Sequence, residues 1–286
     1  MKNMEKSPSR TWRPACVLSI AGSDSGGGAG LQADLKTVSA LGGYAASAVS
    51  ALTVQNTLGV QEVIPVPART ICAQVRSVLD DIHPDAVKIS MIPIPEAAEP
   101  LAGILKGHAC RNIVLDPVMV STSGHSLVDD VCMKGIVRHL FPLSRIVTPN
   151  LEEVRVLTGI CPRRKQDYER AAKMLLDMGP EAVLIKGGHA GAGRRSSDYL
   201  LCSDTPYAPV LVSSPRIPSK NLHGTGCTLS AAIAFFLASG AALTDAVSSA
   251  KEYVYHAIKT GRNMQVGQGN GPLNHFFDPK PLKRKK

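Results

Sequence analysis

Short apolar runs alternate with stretches of helical periodicity along almost the whole chain. Residues 16–20 form an apolar run that ends in glycines and reads as a strand. Leu31, Leu35, Val38 and Leu41 recur at helical spacing, so a helix is predicted from about Leu31, stopped by Gly42-Gly43. Strands follow at 45–50 and 61–66, and Pro67 opens a helix that ends near Asp81. The alternation continues with strands at 86–89, 113–115, 146–148, 182–185 and 199–202. Between them lie helices at 96–106, 131–140, 151–157 and 168–178. Two long helices, 225–238 and 245–260, close the core.

Strands alternating with helices predict an α/β fold: an open, mostly parallel central sheet with helices on both faces. The predicted strands are apolar throughout, as burial on both sides demands. Ligands of such sheets bind beyond the carboxyl ends of the strands. Gly22, Asp116, Asn150 and Lys186 all fall at such ends.

Composition agrees with a folded chain. The 286 residues are 44% hydrophobic and 19% charged, too apolar for a disordered protein. The longest apolar run, residues 231–238, is far short of the roughly 20 residues that span a bilayer, so no membrane association is expected. The stretch 15–21 behind a basic N-terminus runs straight into Gly22-Ser23-Asp24 and is read as a strand, not a leader.

The net charge of +9 would suggest nucleic acid if it were spread over the fold. It is not: residues 1–13 carry +3 and residues 278–286 carry +4. The expected organisation is therefore a basic, disordered tail at 1–13, one domain at 14–277, and a basic C-terminal tail at 278–286, solvated and without a nucleic-acid partner. Seven cysteines, an odd number with no CxxC pair, fit reduced thiols and a cytoplasmic setting.

Two glycine-rich elements open helices. The first, residues 21–30, reads AGSDSGGGAG. Glycines there let backbone approach a ligand, and the helix end attracts negative charge; a flexible turn explains the same letters. Neither G-x-G-x-x-G nor a Walker loop is present. The second, His223-Gly224-Thr225-Gly226-Cys227-Thr228, would form an anion cradle from free backbone amides. Cys227 falls in the first helical turn, where a thiol pKa is expected to be lowered, although a buried structural cysteine fits the same position.

Three polar groups mark strand ends. Asn150 and Glu153 fit a capping box, or oxygen donors near a metal–phosphate site. Asp116 precedes Pro117 as a turn carboxylate or an acid facing the site. Lys186, before Gly187-Gly188-His189, is a phosphate counter-charge or a simple strand-end charge. The histidines show no metal-ligand spacing, and G-x-S-x-G is absent.

Taken together, these residues resemble the hydroxymethylpyrimidine/phosphomethylpyrimidine kinases of thiamine biosynthesis, in the ribokinase-like superfamily. The similar segments are AGSDSGGGAGLQADLKT at 21–37, ALTVQNTLGVQ at 51–61, VLDPVM at 114–119, TPNLEE at 148–153, LIKGGH at 184–189, KNLHGTGCTLSAAI at 220–233 and GNGPLNHF at 269–276. The resemblance implies a ribokinase-like sheet, a homodimer, and ATP with Mg²⁺ as cofactors. It implies phosphorylation of 4-amino-5-hydroxymethyl-2-methylpyrimidine and then of its monophosphate. Pyridoxal or pyridoxine kinase activity and a non-catalytic pyrimidine sensor are the competing functions.

Carried over residue by residue, the resemblance makes Gln55 the partner of the pyrimidine edge and puts Gly22 and Asp34 on the substrate pocket. Met91 and Val118 would flank the ring. Gly224 and Gly226 would form the anion hole, and Cys227 would be the catalytic base. Asn150 and Glu153 would serve magnesium, directly or through water; Asp116, Lys186 and Asn150 would lie on the nucleotide side. The chain departs from the family pattern at Ser25-Gly26, where Pro-Ser is frequent, and at Ser90, where Gly is usual. The implied chemistry is physically coherent. Phosphoryl transfer needs positioning and charge neutralisation, and one glutamine amide can match the donor and the acceptor of an aminopyrimidine edge.

Overall fold

The computed structural model describes residues 11–119, 127–187, 193–205 and 208–285. Nine strands form one sheet in the order β3-β2-β1-β4-β5-β6-β7-β8-β9. They are β1 Cys16–Asp24, β2 Tyr44–Asn56, β3 Gly59–Pro65, β4 Ala86–Ile89, β5 Ile113–Leu115, β6 Ile146–Val147, β7 Ala182–Lys186, β8 Arg195–Cys202 and β9 Val210–Pro215. The six strands from β2 to β7 in that order pair in parallel, while β3 at one edge and β8 and β9 at the other are antiparallel.

Among the described residues eight α-helices cover the sheet: α1 Gly30–Ala40, α2 Ala68–Asp81, α3 Ala98–Gly107, α4 Asp130–His139, α5 Leu151–Thr158, α6 Lys165–Leu176, α7 Thr225–Ala238 and α8 Leu243–Gly261. Successive strand residues feed two separate cores, as the two-residue strand period requires. Leu18, Ile20, Val87, Ile89, Ile113, Leu115, Val183 and Ile185 pack with α2 to α6. Val17, Ala86, Val114, Ala182 and Leu184 pack with α1, α7 and α8 on the other face. This alternation decides the site. Ser19, Lys88, Asp116 and Lys186 occupy the second set of positions, so they lie on the α1/α7 face.

The structure differs from the sequence reading at the sheet edges. β2 runs to Asn56 and pairs with β3 as an antiparallel ribbon. Its outer half is not doubly buried: Leu52 and Val54 are 49% and 47% exposed. β9 was not legible because only Val212 of its six residues is buried.

The C-terminal segment is not a free basic arm. Lys280 N–H donates to Ala40 O, Lys283 N–H to Gly42 O, and Lys285 N–H to Arg13 O. Asp85 gathers Arg13, Lys285 and the Cys16 amide, so much of the local positive charge has a partner. Gly42, at φ +88°, lets Pro281 pass close by: a Cβ there would stand 2.4 Å from Pro281 O. These contacts lie at the strand ends opposite the site. Deleting residues 278–286 should therefore lower unfolding stability by about 1–3 kcal/mol, from a few exposed hydrogen bonds, and leave turnover per folded molecule unchanged. Denaturant titration and steady-state assay of the same preparation check both halves; a severalfold loss of turnover would link the tail to the site.

Candidate active site

The carboxyl ends of β1, β4, β5, β6 and β7 converge on the N-terminus of α7. Gly224 precedes that helix with φ +82°, a conformation open to glycine. It also stands where any side chain would collide: a Cβ would lie 1.9 Å from Gly28 O. Close contact between Gly224 and Gly28 therefore joins the two glycine-rich elements predicted from sequence. Thr228 N–H bonds Gly224 O, so the amides of Gly226 and Cys227, within the first turn, are orphan donors of the helix start.

Lys186 faces this helix end from β7. Its Nζ donates to Asp116 Oδ1 at 2.6 Å and lies 4.0 Å from Glu153 Oε2. Burial alone would lower the Lys186 pKa; Asp116 and Glu153 more than reverse that and hold the ammonium charged. Asp116 is buried and also accepts from Thr148 Oγ1 at 3.1 Å and Ser230 Oγ at 3.3 Å. A Cβ on Gly226 would be 3.4 Å from Lys186 Nζ and 3.5 Å from Asp116 Oδ2. The helix start, Lys186 and Asp116 thus surround one small space.

Asn150 and Glu153 form the capping box of α5. Asn150 Oδ1 accepts from Glu153 N–H at 2.9 Å, and Glu153 Oε2 accepts from Asn150 N–H at 2.6 Å. Burial, aided by Asp116 and opposed by Lys186, raises the Glu153 carboxyl to about 7.

Asp34, expected on the substrate pocket, is a buried carboxylate. Its Oδ2 accepts from Ser19 Oγ at 2.5 Å and Lys88 Nζ at 2.8 Å. Lys88 is fully buried. Desolvation works against its charge, and Asp34, Cys227 and Asp116 together outweigh it. The sequence reading passed over this lysine. The signal was there, since a charge inside an apolar strand is rarely buried without a partner.

The expected activation of Cys227 is overturned. Burial raises its thiol to about 11; Lys88 opposes this, Asp34 and Asp116 add to it, and a hydrogen bond from the Gly30 backbone lowers it. The helix N-terminus does not outweigh desolvation together with two neighbouring carboxylates.

Met91 lies against Gly22, where a Cβ would be 2.7 Å from Met91 Cε. Ser50 Oγ donates to Met91 O at 2.5 Å and fixes the backbone there. Val118 is half-buried, two residues beyond Asp116. Gly188 and His189 of the LIKGGH segment lie outside the described residues.

Gln55 stands near the end of β2. Its amide lies against His223 Nε2 at 3.1 Å and Thr53 Oγ1 at 3.2 Å. His223 Nε2 also contacts Asp24 Oδ2 at 3.1 Å. The Asp24 carboxylate accepts the amides of Gly26, Gly28 and Ala29 at 2.8–3.0 Å, which shapes the first glycine loop. Burial works to raise its pKa; His223 and those amides hold it below the usual range. Asp24 and His223 were not singled out from sequence, being 199 positions apart and brought together only in the fold.

A family model described as phosphomethylpyrimidine kinase matches residues 24–274. The hydroxymethylpyrimidine/phosphomethylpyrimidine kinase of Rhizobium meliloti is 46% identical over 263 residues, covering 92% of this chain and 97% of its own. Among solved structures, the phosphomethylpyrimidine kinase of Clostridium difficile is 39% identical with a TM-score of 0.73, covering 85% of this chain and 99% of its own. An ADP complex of Bacillus subtilis pyridoxal kinase is 33% identical with a TM-score of 0.82, covering 93% of this chain and 98% of its own.

Proposed function

The chain belongs to the phosphomethylpyrimidine kinase family, and from that premise we propose how its residues share the work. The enzyme transfers phosphoryl groups from ATP to the hydroxymethylpyrimidine and then to its monophosphate, in thiamine biosynthesis. The observation that carries the assignment of roles is the space bounded by the α7 amides, Lys186 and Asp116. Its helix amides and the Lys186 ammonium present positive charge to a phosphoryl group in transit.

In this reading the amides of Gly226 and Cys227 and the Lys186 ammonium stabilise charge on the transferring group. Gly224 sets the start of the helix. The thiolate form of Cys227, a minor species at neutral pH, takes the proton of the attacking hydroxyl; the Lys88 ammonium beside it favours that form. Gly22, Met91 and Val118 enclose the ring, and Gln55 pairs with its edge. Asp116 and Asn150 lie on the nucleotide side, where Asp116 orients Lys186.

Magnesium fits this site in one manner only. Among the described residues no three His, Cys, Asp or Glu side chains gather around a common point, and the capping box occupies both Asn150 Oδ1 and Glu153 Oε2. These oxygens suit an ion held mainly by phosphate and water. Bound there, Mg²⁺ would neutralise phosphate charge.

Gln55→Ala should weaken pyrimidine binding by roughly 1–3 kcal/mol, the cost of an unpaired polar edge, and leave ATP affinity unchanged. Calorimetry with each ligand checks this; unchanged pyrimidine affinity would remove Gln55 from the site. ATP turnover with the aminopyrimidine alcohol, its monophosphate and pyridoxal tests the whole reading, and preferential use of pyridoxal would overturn it.

The enzyme works as a homodimer in this reading. Leu52, Val54 and Ile64 are each nearly half exposed on the β2–β3 ribbon, with Leu52 paired opposite Ile64. Such an apolar ribbon suits a second copy. Leu52→Asp combined with Ile64→Asp should shift sedimentation to the monomer. A wild-type monomer at micromolar concentration would end the proposal. The seven cysteines are all free, which supports a cytoplasmic setting; no described helix is long and apolar enough to cross a membrane.

A further inference from the structure

We infer that His223 fixes which way round the Gln55 amide presents its donor and acceptor, and so makes the enzyme select a 4-aminopyrimidine over its 4-oxo counterpart. The inference rests on Gln55 as the ring anchor.

Counting hydrogens decides the orientation. Nitrogen and oxygen of a terminal amide exchange by a half-turn that leaves its outline unchanged, so its partners determine which is which. The structure places Gln55 Oε1 3.2 Å from Thr53 Oγ1 and Gln55 Nε2 3.1 Å from His223 Nε2, and the partners call for the half-turn at His223 Nε2. That nitrogen also stands 3.1 Å from Asp24 Oδ2, a carboxylate oxygen that already accepts from Gly28 and Ala29 N–H. A bare Nε2 would set its lone pair against that oxygen. Nε2 therefore carries hydrogen, one N–H shared between Asp24 Oδ2 and the amide, and the amide end facing it must accept: it is Oε1.

The other end gives the same answer independently. Thr53 Oγ1 spends its single hydrogen on Ser23 O, 3.0 Å away. Towards the amide, 3.2 Å away, it can only accept, so the end facing it is the NH₂ group. With nitrogen towards His223, the amide would be mismatched there, and Thr53 would have to turn its one hydrogen from the nearer Ser23 O to the amide oxygen. With oxygen towards His223 every hydrogen finds an acceptor.

The consequence is chemical selectivity. In this orientation the amide keeps one N–H on the Thr53 side and one lone pair on the His223 side. A 4-aminopyrimidine matches both, its amino group donating to Oε1 and its adjacent ring nitrogen accepting from Nε2. The 4-oxo analogue carries the opposite pattern. It would need the amide reversed, which breaks the bonds to His223 and Thr53. The substrate cannot turn over instead, because its 5-hydroxymethyl group must reach Cys227. Sites built on such a hydrogen-bond match reject the mismatched analogue far more strongly than apolar pockets reject a size change.

The test is kcat/KM for 5-hydroxymethyl-2-methylpyrimidines with a 4-amino or a 4-oxo group, measured on the full chain. The ratio should favour the amino compound strongly. His223→Leu should reduce it tenfold or more at an unchanged melting temperature, while His223→Asn, which keeps an N–H donor, should restore most of it. Thr53→Val should relax the ratio from the other end and decides the matter if His223→Leu fails to fold. Wild-type ratios in folded His223→Leu and in Thr53→Val would overturn the inference and leave Gln55 as anchor. An aminopyrimidine KM unchanged in Gln55→Ala would overturn the anchor itself.

Discussion

Replacing Cys227 with alanine is expected to reduce phosphorylation by roughly 10²–10⁴-fold, the usual worth of a positioned proton acceptor, without unfolding the protein. The residue keeps partial exposure at the helix start, so loss of one sulfur removes little packing. If the sulfur only packs, the outcome reverses: melting temperature falls and the single-turnover rate stays. The pH profile gives a second readout. In the free protein the thiol titrates at about 11, so it is neutral near pH 7. Below that pKa the thiolate fraction rises tenfold per pH unit. For wild type, log(kcat/KM) should then climb with a slope near one between pH 7 and pH 10, and this climb should be missing in Cys227→Ala. A flat wild-type profile at unchanged folding would assign the proton elsewhere and leave the helix amides and Lys186 as the main catalytic elements.

Much of this architecture was legible because one rule, alternation of apolar runs with helical periodicity, holds through the middle of the chain from β3 to α5 and breaks where strands follow one another, at β2–β3 and β7–β9. Strands β4 and β5 and helix α7 have the bounds the pattern gave. The failures share a physical origin: each depends on what lies opposite in space. β9 has too little burial to show as an apolar run, and the outer half of β2 is held by its pairing with β3. The apolar run around Lys88 reads as a uniformly apolar strand, whereas the two-residue period puts Lys88 beside Ser19, bonded to Asp34. For Cys227 the local rule was right in kind but too small. A helix end favours a thiolate, yet burial and two carboxylates from distant segments outweigh it. The glycine elements could be read either as turns or as ligand cradles, and the Gly224–Gly28 contact shows that they are built as one unit.

That unit separates stability from catalysis, and two single-methyl substitutions should resolve them. Gly226→Ala is expected to fold as well as wild type. Its backbone is helical, alanine is the better helix former by up to about 1 kcal/mol, and the nearest atoms, Lys186 Nζ and Asp116 Oδ2, stand at 3.4 Å and 3.5 Å. The methyl nevertheless enters the space between the helix amides and Lys186. It should hold the transferring group off its donors and cost roughly 10²–10³-fold in kcat, the scale of losing one preorganised donor. Gly224→Ala should do the opposite first. Its Cβ would stand 1.9 Å from Gly28 O at a φ of +82°, and strain of that kind alone costs roughly 1–3 kcal/mol. The first glycine loop must move away, and the contact of His223 with Asp24 and Gln55 goes with it. Melting temperature and kcat on both variants distinguish the cases. A stable Gly226→Ala enzyme with wild-type kcat would mean that the phosphoryl group passes elsewhere, because no methyl at that position could leave the cradle between Lys186 and the helix amides open.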